Sequence, residues 1–203
     1  MKKLKLLVVS VCLFLSLVGC DYEVSVPTMY LEPAQLTEEE ENMANLLGLY
    51  TKYHLFDFVV DDSIQSIQVN TYQLRDGAWD LISGGGGHAF SDPCGRIALG
   101  VDRIPDGLRV ALQSEHTNSS NSHTSAPETD FKLMSYTTSF LSNQTDIVYE
   151  QEIPLVIQII KDDINSCHVE DFSNPEEFAE YEYVYAIAVR FSQKTVSELS
   201  EEK

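Results

Sequence analysis

After Leu55 the apolar residues of this chain fall on a period of two, and β-branched and aromatic side chains become frequent. That period suits strands with one wet face and excludes an amphipathic helix, whose apolar positions recur every three or four residues. The dipeptide Asp76-Gly77 interrupts the alternation and accepts the positive φ of a type I′ turn. With those two residues as the loop, Arg75 faces Ala78, Leu74 faces Trp79 and Tyr72 faces Leu81. The four apolar side chains then share one face of a hairpin. A second hairpin follows from Ile97, Leu99 and Val101 alternating on one strand and Leu108, Val110 and Leu112 on the next, with Pro105-Asp106-Gly107 as the turn. Pairing Val101 with Leu108 puts all six on one face.

Further strands are expected over 131–141 and 147–160, where Leu155 to Ile160 is apolar on both faces and so central. Pro154 should open that strand, because it donates nothing to a ladder. Tyr183, Tyr185, Ile187, Val189 and Phe191 alternate as a last strand. Residues 114–130 are Ser, His, Thr, Asn and Pro with almost nothing apolar, and read as a long polar loop.

Two helices frame these strands. Thr37 with Glu40 three residues on is a capping box, and Glu38 and Glu39 suit the positive end of the helix dipole. Met43, Leu46, Leu47 and Tyr50 form an apolar stripe, so the helix should lie on something, and Gly48 weakens or ends it. Asn174-Pro175-Glu176-Glu177 is a second start, with Asn at the N-cap and Pro at the first position of about two turns. The expected fold is mainly β: an antiparallel sheet or β-sandwich with an N-terminal helix and a short late helix, α+β in character. No internal repeat or βαβ alternation appears, and the strands are too few for an outer-membrane barrel.

The N-terminus sets the location. Lys2, Lys3 and Lys5 precede an apolar run from Leu6 to Val18, broken only by two serines, as in a secretory signal. Its thirteen residues fall short of the roughly 20 that a spanning helix needs. The run ends in Leu17-Val18-Gly19-Cys20, which resembles the lipobox of bacterial lipoproteins. That resemblance covers the first 20 residues, and charge, apolar length, small residue and Cys come in the required order. It implies that residues 1–19 are cleaved and that Cys20 carries diacylglycerol, whose chains hold the protein on the extracytoplasmic side of the cell membrane; two acyl chains anchor where one binds only marginally. The mature part resembles the small lipoproteins of bacterial surfaces in general, a likeness of export and composition that transfers no active site. Residues 20–36 then read as lipidated Cys and tether, 37–192 as a single globular domain and 193–203 as a polar tail that frays.

The chain has 13 Lys and Arg against 32 Asp and Glu, and three of the lysines lie in the signal, so the mature part carries about −22. Such a field repels phosphate backbones and excludes nucleic acid as a partner. The membrane is therefore reached through the lipid on Cys20 and not through a basic patch. Asp61-Asp62, Asp162-Asp163 and Glu38 to Glu41 lack the spacing of a calcium loop and read as solvated acids. With Cys12 in the signal and Cys20 acylated, Cys94 and Cys167 are left. Export permits a disulfide between them, worth about 4 kcal/mol for a loop of that length, and two buried thiols fit the sequence equally. His88 and His168 stand near them, but without the spacing of a zinc site, so no metal and no cofactor is expected.

Gly84, Gly85, Gly86 and Gly87 with His88 form a candidate ligand loop. A phosphate-binding loop needs Lys-Ser/Thr entering a helix, whereas His88-Ala89-Phe90 follow here, so close approach by a ligand or by another backbone is the better reading. There is no Gly-x-Ser-x-Gly elbow and no cysteine-protease context, and no catalytic residue is assigned. Trp79 with Tyr72, and Tyr181, Tyr183 and Tyr185, have Leu, Ile or Val as strand neighbours and read as core; His116 and His123 read as solvated. The expected function is a membrane-anchored binding or accessory module. Two alternatives stand beside it: a hydrolase of the envelope or of secreted substrates, marked by a polar cleft with perturbed carboxylates or histidines, and a structural or assembly component, marked by an exposed apolar patch.

Overall fold

The computed structural model describes residues 29–49, 53–84, 87–123, 131, 134–161 and 167–201. Residues 1–28, including Cys20, and Gly85 and Gly86 lie outside them. Twelve strands are present among the described residues: β1 (Tyr30–Pro33), β2 (Tyr53–Val59), β3 (Ser66–Arg75), β4 (Ala78–Ser83), β5 (His88–Ala89), β6 (Cys94–Gly100), β7 (Leu108–Gln113), β8 (Asn118–His123), β9 (Tyr136–Phe140), β10 (Thr145–Asp146), β11 (Glu152–Ile160) and β12 (Val184–Ser192). Two helices accompany them, α1 (Glu38–Leu46) and α2 (Val196–Glu201). The expected mainly β, antiparallel architecture is the one observed. Every pairing is antiparallel: β10-β1-β2-β6-β7-β8 make one sheet, and β4-β3-β12-β11-β9, with β5 also on β3, make the other.

Both hairpins have the expected register. Leu74 pairs Trp79 and Tyr72 pairs Leu81 around a turn in which Asp76 and Gly77 both have positive φ. Leu99 pairs Val110 and Ile97 pairs Leu112 across the second. The sheets face each other over one core, where Phe58 of β2 meets Phe191 of β12 edge to face at 5.2 Å. The amide of wholly buried Gln158 on β11 accepts the Ile104 N–H (2.8 Å) and donates to the Asp102 carbonyl and the Thr138 hydroxyl, both at 2.9 Å. It supplies partners that the β6–β7 turn, sunk into the core, cannot get from water.

The far face of the second sheet is covered by the segment after Cys167. Trp79 stacks on Phe172 at 5.0 Å and donates its indole N–H to the Phe172 carbonyl (2.8 Å), while Val169 and Phe178 are buried. Trp79 and Tyr72 are thus packing residues, with Tyr72 edge-on to the same Phe172.

The structure differs from the sequence reading at several places. Tyr30–Pro33, assigned to the tether, is a strand between β2 and β10. Asn118–His123, assigned to the polar loop, is a strand on the edge of β7; edge pairing is satisfied by main-chain groups and asks no apolar alternation. Pro154 lies inside β11 beside a register irregularity rather than at its start. The late helix is a pair of 3-10 turns, Val169–Ser173 and Pro175–Phe178, and Asn174 makes no side-chain cap. The tail forms α2, with Thr195 and Glu198 exchanging capping-box hydrogen bonds and Leu199 buried.

Gln158→Leu should test the buried clamp. It leaves the Ile104 N–H and the Asp102 carbonyl without partners, each costing about 1–3 kcal/mol, so the urea midpoint should fall with the slope unchanged. A midpoint equal to that of the parent would show that water reaches the turn.

Candidate functional site

Residues paired across an antiparallel ladder share a face, and the pairings therefore map the outer face of the first sheet. Asp57, Arg96 and Gln113 form one row, Leu55, Ala98 and Ala111 the next, and Tyr53, Gly100 and Arg109 a third. The middle row is low because its side chains are small. Arg96 donates Nε and Nη2 to the two Asp57 carboxylate oxygens at 2.6 and 2.9 Å, a bidentate pair, and Nη1 to Glu40 Oε1 at 2.9 Å. The other Glu40 oxygen accepts the Thr37 N–H (2.8 Å) and closes the capping box, while Glu40 N–H reaches back to the Thr37 hydroxyl at 3.3 Å. One carboxylate thus both starts α1 and fastens it over the sheet. The Thr37 N–H and hydroxyl, then Arg96, hold its pKa below the ordinary value.

Between α1 and the sheet lies a groove of about 870 Å³. Met43 and Ala44 of α1 and Leu47 at its C-cap line one wall, Leu55 and Ala98 the floor, and Phe140 and Leu141 at the edge of the second sheet the far side. Among the described residues its charged lining residues are Glu40, Glu41 and Arg96. His54 stacks on Phe140 with ring centroids 3.4 Å apart, and burial pushes its pKa down, so it is neutral near pH 7.

The sequence stripe on α1 does not bury itself. No residue of α1 is buried; Met43, Leu46 and Leu47 are 56, 80 and 60 % exposed. Full burial of such a side chain contributes about 1.5–3 kcal/mol, and the fold forgoes most of it here. The helix is attached by polar contacts at its N-terminal end and leaves its apolar wall open. A volume in the range of small-ligand sites, an apolar lining and a few polar groups make this the candidate binding site.

The residues singled out from the sequence fall elsewhere. Cys20, Gly85 and Gly86 lie outside the described residues. Gly84 has φ +122°, and a Cβ there would come within 2.8 Å of the Val69 carbonyl oxygen and of Asn70 Cα, so the closely approaching backbone is the chain's own β3. Gly87 leads into β5, where the His88 Nδ1 stands 3.0 Å from the Ser119 hydroxyl of β8. Burial, then His123, lowers the His88 pKa; the residue links the two sheets and does not line the groove. Cys94 and Cys167 are both free. Cys94 is exposed at the start of β6, and Cys167 donates its thiol to the Ile157 carbonyl of the other sheet at 3.9 Å. Burial pushes the Cys167 thiol up to about 11. Among the described residues no group of three or more His, Cys, Asp or Glu could hold a metal ion.

One polar cluster escaped the sequence reading. Buried Asp92 accepts the Ser114 hydroxyl, the His116 N–H (3.0 Å) and the His116 ring at Nδ1 (2.6 Å). These bonds, the Ser114 hydroxyl first, bring Asp92 down to about 2, and Asp92 raises His116. His116 therefore orients an exposed ring against a carboxylate, yet the hydroxyl in contact is bonded to Asp92 and the cluster stands apart from the groove. It pins the β7–β8 turn to the start of β6. The spacing of 24 residues between Asp92 and His116 carries no motif that sequence inspection could find.

The chain matches no family model, no curated protein and no solved structure.

His116 should titrate above its ordinary value of 6.5 when followed by NMR, and Asp92→Asn should return it to about that value. The signs for stability are opposite. The lowered Asp92 contributes above the ordinary carboxylate value of 3.8 and loses that contribution as pH falls toward 2. The raised His116 contributes below 6.5 and fades as pH rises through its folded value. An unshifted His116 would contradict the pairing.

Proposed function

We propose that this chain is a lipid-anchored, extracytoplasmic binding module and that the groove under α1 is its ligand site. The observation that carries the reading is the open apolar wall of Met43 and Leu47, at once part of a cavity of ligand size and unused by the core. The lipobox-like Leu17-Val18-Gly19-Cys20 supports the anchor. No helix among the described residues is long and apolar enough to cross a membrane; only eight residues separate Cys20 from Met29, next to the first described strand, which at about 3.5 Å each keeps the sheets within roughly 30 Å of the acyl chains.

The hydrolase reading loses ground to this one, because the perturbed pair Asp92 and His116 is not among the groove's lining residues. The assembly reading keeps one observation in its favour: Leu46, 80 % exposed, is absent from the groove lining and presents an apolar surface of its own. Sedimentation over a wide concentration range separates the two, since self-association abolished by Leu46→Ser would favour assembly.

The binding reading is tested with a neutral apolar dye, N-phenylnaphthylamine, added to the chain. Bound dye should brighten, and Leu47→Asp, at a site exposed enough to leave the fold intact, should weaken binding at least tenfold. Equal brightening in the variant would remove the groove as the site. Separately, Cys20→Ala should abolish both acylation and membrane fractionation, and an acylated, membrane-bound Cys20→Ala product would overturn the anchor.

A further inference from the structure

The groove has a sign. Glu38, Glu39 and Glu41 are exposed on the first turns of α1, and Glu40 and Asp57 share the guanidinium of Arg96. Glu32 stands directly across the ladder from Asp57. Of these six carboxylates Glu40 and Glu41 line the trough and the other four stand beside it on the same helix and sheet row, and among the described residues the one Lys or Arg in the lining, Arg96, already directs its donors at two of them. A ligand carboxylate or phosphate would meet the same sign and find Arg96 engaged, whereas an ammonium or guanidinium would enter a field that the chain's −19 reinforces.

Shape narrows the class further. The trough is partly open to solvent and mostly apolar in its lining, so an occupant meets apolar side chains on one part of its surface and water on another. An extended peptide with alternating apolar and basic residues divides its side chains in that way, since successive residues point to opposite faces. Gln35 and Gln113 place amide groups at the lining, where they can exchange hydrogen bonds with a peptide main chain. Other chain segments are poor candidates: 21–28 carries Asp21 and Glu23 and no cation, and 124–130 carries Glu128 and Asp130 and no cation.

We infer that the groove between α1 and the outer face of the first sheet takes a short basic amphipathic peptide segment, apolar residues down and Lys or Arg against the Glu38–Glu41 rim. This rests on the groove being the binding site, and the test separates the two. The acylated chain in phosphatidylcholine nanodiscs, with empty discs subtracted, is titrated with a labelled six-residue Leu-Lys alternating peptide and with its Leu-Glu counterpart, beside the neutral dye. The basic peptide should bind at least tenfold tighter than the acidic one at low salt, and the difference should shrink in 0.5 M NaCl as screening sets in. Replacing Glu32, Glu38 and Glu39 together by Gln leaves every lining residue of the groove in place, with Glu40, its cap and its Arg96 contact; this variant should lose most of the preference while still binding the dye. Equal affinity for the two peptides, or a preference that survives the triple replacement, overturns the inference, and dye binding that persists in the groove leaves the binding reading standing. If neither dye nor peptide is affected by Leu47→Asp, both readings fall together.

Discussion

Strands β11 and β12 are apolar on both faces: Leu155 to Ile157 and Val184 to Val189 are buried without interruption. Neither face of their sheet can meet water, and each buried side chain contributes about 1.5–3 kcal/mol toward keeping it so. One cover is the first sheet, through Phe58 against Phe191. The other is the segment with Val169, Phe172 and Phe178, locked by Trp79. With both covers committed to the second sheet, the first sheet has one apolar face and one face left over. What lies on that remaining face is α1.

The attachment of α1 is therefore electrostatic rather than hydrophobic. Arg96 is partly exposed and its two partners more so, and ion pairs in such settings contribute roughly 0–1 kcal/mol each, with bidentate geometry at the upper end. A helix of nine residues is too short to be stable alone. Its capping box and the Glu40–Arg96 contact act at one end, while Leu46 and the C-cap Leu47 at the other are exposed and bury little apolar surface, the property of segments that open at low free energy. A wall of this kind can adjust to an occupant without disturbing the core.

Much of the fold was legible because local chemistry and tertiary pairing agreed. Asp76-Gly77 fixed a turn type, and the alternation on either side fixed the register that Leu74 and Trp79 adopt. The Thr37–Glu40 box was visible for the same reason. Its twin, Thr195 with Glu198, was equally present in the sequence but lay in a segment whose polarity suggested fraying. β1 and β8 were hidden because their identity comes from neighbours: four residues ending in Pro33, and six polar residues wet on most sides, carry no period of their own. The groove was illegible for a different reason. Met43, Leu46 and Leu47 at helical spacing specify an apolar face, but nothing in that spacing distinguishes a face buried in the core from one left open.

The account stands on that open face being spare to the fold. Urea unfolding of the chain with Met43, Leu46 and Leu47 all replaced by Ser measures this directly. An unchanged slope and a stability within about 1.5 kcal/mol of the parent are expected, since each exposed substitution away from structural contacts changes stability by about 0.5 kcal/mol or less. A loss of several kcal/mol, approaching the 2–5 kcal/mol that truncating one buried Leu costs, would mean that these side chains are core and that no groove awaits an occupant.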